Sequence, residues 1–95
     1  MTLQELKKYK HQMSDIGQQF GITKIRVFGS TVRKEADQFS DVDLLVEIEP
    51  DRSLFDLGGF QMAVKDLINQ DVDIVTENGL RDRIKETVLS EAVEL

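Results

Sequence analysis

Three short runs, Ile25-Arg26-Val27-Phe28, Asp43-Leu44-Leu45-Val46-Glu47-Ile48 and Asp71-Val72-Asp73-Ile74-Val75, alternate with stretches whose apolar residues recur every three or four positions. The runs have the length and composition of strands, and the longer spacing is that of one helix face. This alternation restricts the chain to an α/β or α+β architecture, a small mixed β-sheet flanked by helices, in the order helix-strand-helix-strand-helix-strand-helix. Thr2-x-x-Glu5 has capping-box spacing, and Leu6, Tyr9, Met13, Ile16 and Phe20 form one stripe, so a single first helix is expected up to Gly21. Gly29-Ser30 marks a tight turn after the first strand, followed by a short helix to about Ala36. Pro50-Asp51 closes the second strand. Ser53-x-x-Asp56 opens the next helix, with Leu57, Phe60, Val64 and Leu67 on one face. Gly58-Gly59 falls inside it, at about 1 kcal/mol per glycine relative to alanine. The pair implies a helix that begins after it, or a mobile segment. Leu80, Ile84, Val88 and Ala92, flanked by Leu89 and Val93, predict a final amphipathic helix.

The 95 residues fit one domain spanning 1–95, without repeats, low-complexity runs or a Pro/Ser-rich linker. Twelve Lys and Arg against 18 Asp and Glu give a net charge of −6, so no direct nucleic-acid binding is expected, because that mode needs clustered positive charge. No apolar run approaches the ~20 residues of a membrane helix, and the first residues do not form a signal peptide. The chain has no Cys, which excludes disulfides, thiolate zinc sites and cysteine nucleophiles. The one histidine, His11, lies in a polar stretch and reads as a solvated surface residue, leaving no His-rich metal site. The lack of Cys fits a cytoplasmic location.

The chemistry-bearing stretch runs from Gly29 to Asp43 and reduces to G-S-x10-D-x-D. Asp41 and Asp43 enter the second strand on one face, about 7 Å apart along the backbone. Adjacent carboxylates repel unless a cation lies between them, and hard oxygen ligands suit Mg²⁺, which also takes substrate phosphates. Asp73 projects from the centre of another apolar run and also needs a metal or a donor, although Asp71 competes with it because alternation puts both on the same side. Gly29 lets a phosphate approach the backbone, and Ser30 adds a hydroxyl at a helix start. Arg33, one turn on, either reaches a polyphosphate or pairs with Asp37 at i+4. A phosphate cradle facing carboxylates is what metal-assisted nucleotidyl transfer requires. Glu35, Asp37, Glu47 and Glu49 read as solvated charges.

On Val27-Phe28-Gly29-Ser30, Arg33, Ser40-Asp41-Val42-Asp43-Leu44-Leu45-Val46 and Val72-Asp73-Ile74-Val75, the chain resembles the minimal nucleotidyltransferases (MNT) of the DNA polymerase β superfamily. These are paired with HEPN toxins in prokaryotic toxin–antitoxin modules. The resemblance covers nearly the whole chain, with one departure: Lys34 stands where such proteins often have glycine. It implies a polymerase β-like nucleotidyltransferase core, with Asp41, Asp43 and Asp73 as catalytic residues holding one or two Mg²⁺ ions. Gly29, Ser30 and Arg33 would bind the nucleotide, and ATP would be the substrate. The implied activity is an antitoxin's transfer of AMP from ATP to a tyrosine hydroxyl of a cognate HEPN ribonuclease toxin, in a hetero-oligomer with that toxin. The alternatives are an antitoxin that neutralises by contact alone, or a transferase acting on a small molecule, for which the chain has no additional pocket domain.

Overall fold

The computed structural model describes residues 1–35 and 41–95. Its strands are β1 (Ile22–Phe28), β2 (Val42–Ile48), β3 (Val72–Val75) and β4 (Val93–Glu94), and its helices are α1 (Leu3–Lys7), α2 (Lys10–Gln19), α3 (Ser30–Arg33), α4 (Leu54–Ile68) and α5 (Asp82–Glu91). A 3₁₀ turn at Glu77–Gly79 precedes α5. The sheet order is β3-β2-β1-β4, with β2 and β3 parallel and the other pairs antiparallel, so the expected small mixed sheet with helices is the architecture observed. Among the described residues no helix is long and apolar enough to cross a membrane.

Alternation along the strands divides the sheet into two chemically different faces. Val27, Val42, Leu44, Val46 and Val72 point into the core, where they meet Leu6 and Met13 from the N-terminal helices and Phe60, Val64 and Ile68 from α4. The residues between them, Arg26, Phe28, Asp43, Leu45 and Asp73, therefore project from the other face, and Asp43 is the register partner of both Phe28 and Asp73. The core face fixes the register, because a slip by one residue would bury the carboxylates in place of the valines.

Several boundaries differ from the sequence expectation. The single first helix is two: the N–H groups of Lys8 and Tyr9 bond the carbonyls three residues back, a tightened turn that ends α1 before α2 begins. No glycine or proline marks the break, and Leu6 and Met13 on either side of it are both fully buried. The short third helix ends at Arg33; Ala36 lies outside the described residues. Only Val88 of the final helix is buried, and Ile84 is 48% exposed, so the expected Leu80-Ile84-Val88-Ala92 core stripe is reduced to one anchor.

Neither reading of Gly58-Gly59 holds, because α4 runs straight through the pair. Ser53 Oγ accepts from the Phe55 N–H, and the Asp56 carboxylate accepts from the Ser53 N–H, which fixes the start before the glycines. The two glycines differ in kind. A Cβ at Gly59 would lie within 2.5–3.1 Å of the Phe20 ring, whereas one at Gly58 would meet nothing within 4 Å. Gly58→Ala is therefore expected to stabilise the fold by about 0.5–1 kcal/mol through helix propensity. Gly59→Ala is expected to cost about 1–3 kcal/mol through overpacking. Urea denaturation of both variants checks this contrast; a Gly59→Ala as benign as Gly58→Ala would contradict the packing of Phe20 against the helix backbone.

Candidate active site

The site is built where β1 turns into α3, beside the adjoining ends of β2 and β3. Gly29 has φ +80° and ψ −151°, a conformation in which L side chains are strained, and a Cβ there would run into the Asp43 carboxylate. Two constraints thus demand glycine at this position. The Gly29 carbonyl accepts from the N–H groups of Val32 and Arg33, which folds Ser30–Arg33 into its single helical turn. Lys34 then ends that turn at φ 62°, ψ 29°. This is the left-handed conformation that glycine adopts most readily, so Lys34 keeps the turn at a cost of about 1 kcal/mol.

Asp43 is partly buried, and its carboxyl is pushed up from 3.8 to about 6. Burial is the largest cause, followed by the charges of Asp73 and Asp41, with a hydrogen bond to the Asp73 carboxyl adding to them; Arg33 opposes the shift. Asp43 and Asp73 are thus register neighbours across the parallel β2–β3 pair, close enough for the charge of Asp73 to raise the Asp43 carboxyl. Asp41 is exposed and precedes β2, close enough for its charge to act on Asp43. Asp71, left beside Asp73 by alternation alone, instead pairs with Lys65 Nζ at 3.0 Å.

Among the described residues no three acidic or histidine side chains converge as a preformed metal cage. The expected ligand set of Asp41, Asp43 and Asp73 is a register pair, Asp43 and Asp73, with Asp41 close enough to act on Asp43. That still fits Mg²⁺, which is commonly held by one or two carboxylates together with substrate phosphates and water. The raised Asp43 carboxyl is consistent with such a site, since neighbouring carboxyl groups resist ionising together unless a cation screens them.

The same shift sets a pH dependence. The folded chain keeps the Asp43 proton up to about pH 6, while the unfolded chain releases it near 3.8. Stability from this group is therefore fully present below 3.8 and is lost as pH rises through about 6. Allowing for solvent screening of a partly exposed group, the loss is on the order of 1 kcal/mol. Asp43→Asn cannot ionise and should lack it. Melting curves of metal-free protein from pH 4 to pH 8 should thus show wild type falling relative to the variant as pH rises. Parallel curves would refute the raised carboxyl.

The expected partner of Arg33, Asp37, lies outside the described residues, as does Ser40. Arg33 Nε donates to Glu35 Oε2 at 3.1 Å and its Nη1 to Glu91 Oε1 at 2.8 Å. The hydrogen bond to Glu35 and then the charge of Glu91 raise its guanidinium above the usual value. Glu35, Glu47 (3.9 Å from Arg26) and Glu49 (3.4 Å from Arg52) are exposed, as expected of solvated charges, and form surface ion pairs. His11 is exposed, as expected.

Glu91 is the residue that sequence reasoning missed. Its Oε1 also accepts the Gly29 N–H, so it sits on the expected phosphate cradle. One signal was available: Glu91 is the last residue of α5, where a carboxylate opposes the helix dipole, with no basic residue in that turn.

Comparison with known proteins agrees with this fold. The family profile of the nucleotidyltransferase domain matches residues 6–95. The protein adenylyltransferase MntA of Thermococcus cleftensis is 36% identical over 94 residues, covering 98% of this chain and 95% of that protein. The solved structure of a provisionally named minimal nucleotidyltransferase superposes with a TM-score of 0.87 at 40% identity, covering 100% of this chain and 97% of the other. At 13% identity, a likeness of fold alone, the complex of a tri-AMPylated Shewanella oneidensis HEPN toxin with its MNT antitoxin gives a TM-score of 0.68, covering 93% of this chain and 69% of that one.

Proposed function

The chain belongs to the nucleotidyltransferase domain family, and from that premise we propose that it is a protein adenylyltransferase, an antitoxin that moves AMP from ATP to a tyrosine hydroxyl of a cognate HEPN ribonuclease. The observation that carries this reading is the register pair Asp43–Asp73, with the Asp43 carboxylate set against the Gly29–Ser30 turn. The name of the Thermococcus cleftensis relative and the AMPylated state of the toxin in the Shewanella oneidensis complex support the protein acceptor.

Asp43 and Asp73, with Asp41 alongside, are the residues that would hold Mg²⁺. Bound there, the ion supplies charge stabilisation to the oxygens entering and leaving the α-phosphorus. Gly29 admits the β- and γ-phosphates close to the backbone because it carries no side chain. Ser30 offers its hydroxyl at the start of α3, and Arg33 offers its guanidinium. Asp73, the exposed member of the pair, takes the proton of the attacking tyrosine hydroxyl. A new bond joins that oxygen to the α-phosphorus as the bond to the β-phosphate bridging oxygen breaks, and pyrophosphate leaves. Neutralisation follows from charge: a phosphodiester added to the toxin repels an RNA phosphate that would dock there. A hetero-oligomer with the toxin brings the acceptor to the site, with no direct contact to nucleic acid.

Incubation with the HEPN partner and ATP labelled at either the α- or the γ-phosphate tests this reading. Label from the α-position alone is expected on the partner. Label from the γ-position would make the protein a kinase, and no label from either would leave neutralisation by contact.

A further inference from the structure

We propose that Glu91 is an internal competitor for the nucleotide's phosphates, holding their donors until the nucleotide displaces it. This rests on the nucleotidyltransferase reading above. One oxygen of Glu91 accepts both the Gly29 N–H and Arg33 Nη1, the latter at 2.8 Å. A backbone N–H at a glycine turn plus a guanidinium is the donor set a phosphoryl oxygen takes. The Glu91 side chain is only 16% exposed, against 49% for Arg33, so the carboxylate lies in the cradle while the guanidinium faces outward. A triphosphate cannot share these donors with a carboxylate at contact distance, because like charges repel most where water is scarce.

Glu91's position in its own element points the same way. As the last residue of α5 it opposes that helix's dipole, so its partners lie across the site, not within its helix. The helix that presents it is lightly held. Val88 is its only buried residue, and beyond it the two-residue strand β4 pairs with β1 through Val93 and Glu94, with the Leu95 N–H donating to the Ile25 carbonyl at 3.2 Å. An element with so few buried contacts opens at low free energy, so the end of α5 is suited to yield the cradle. By linkage, anything that draws this end away from the turn tightens nucleotide binding.

The rival role is positioning: Glu91 could steer Arg33 toward the nucleotide. The two roles predict opposite signs. Calorimetric titration of Mg-ATP into wild type, Glu91→Gln and Glu91→Ala reads the difference. Glu91→Gln keeps the shape and an acceptor for the Gly29 N–H but removes the charge, so it carries the test even where Glu91→Ala folds poorly. Internal competition predicts a dissociation constant about three- to tenfold lower in Glu91→Gln. It also predicts that Mg-ATP moves the Gly29 amide and Arg33 Nε–H resonances of wild type in the direction that Glu91→Gln moves them without ligand. Unchanged or weaker binding in Glu91→Gln, with wild type binding normally, overturns the competitor role and leaves the nucleotidyltransferase reading standing. No Mg-ATP binding to either protein overturns both.

Discussion

Replacing Asp41 and Asp43 together by asparagine is expected to reduce AMP transfer by about a thousandfold or more while the protein stays folded. Both effects have one cause. Asparagine has nearly the volume of aspartate but neither the charge nor the ligand strength needed to hold a hard cation among phosphates. In the metal-free protein those charges are a burden, because burial and the charges of Asp73 and Asp41 already hold the Asp43 carboxyl up to about 6. Removing them relieves repulsion, and the variant should melt at or a few degrees above the wild-type temperature at pH 7.5. Label transfer and thermal melting on the same preparation read the two halves together. An unfolded variant would make the carboxylates structural, and a folded, active one would place the chemistry elsewhere.

The second large effect is on nucleotide binding without metal. ATP is expected to bind roughly a hundredfold more weakly in the presence of a chelator, because Asp41, Asp43 and Asp73 then face a triphosphate with no cation to screen them. Arg33 offsets only part of this repulsion, since Glu35 and, until the nucleotide displaces it, Glu91 share its guanidinium. Titration calorimetry with Mg²⁺ and with chelator measures the ratio. Equal affinities would contradict a site organised around carboxylates and a cation.

The parts of this molecule that were legible in the sequence are those governed by local periodicity. The runs around Val27, Leu44 and Val72 had to be strands, and alternation puts Asp41 and Asp43 on one face of theirs and Asp71 and Asp73 opposite the core on theirs. The capping pattern at Ser53 located the start of α4, and propensity misled only at Gly58-Gly59, where the approach of Phe20 accounts for Gly59. What local pattern could not supply were contacts between distant segments. Asp71 and Asp73 look equivalent in sequence and are separated only by the Lys65 ion pair on one and the Asp43 neighbour on the other. Glu91 lies 62 residues from Gly29, and no spacing rule joins them. The two-residue strand β4 was illegible for a related reason: it exists through pairing with Arg26 and Val27, whereas Val93 reads in sequence as part of the final helix's apolar face. The break between α1 and α2 had no breaker residue to announce it.

The central claim, transfer of AMP to a HEPN partner, is tested most directly by weighing that partner intact after incubation with this protein, ATP and Mg²⁺. A gain of one or more whole AMP units with wild type, absent with the Asp41/Asp43 double asparagine variant and mapped to a tyrosine, is the predicted result. An unchanged partner mass under conditions where the wild-type protein still neutralises the toxin would contradict it.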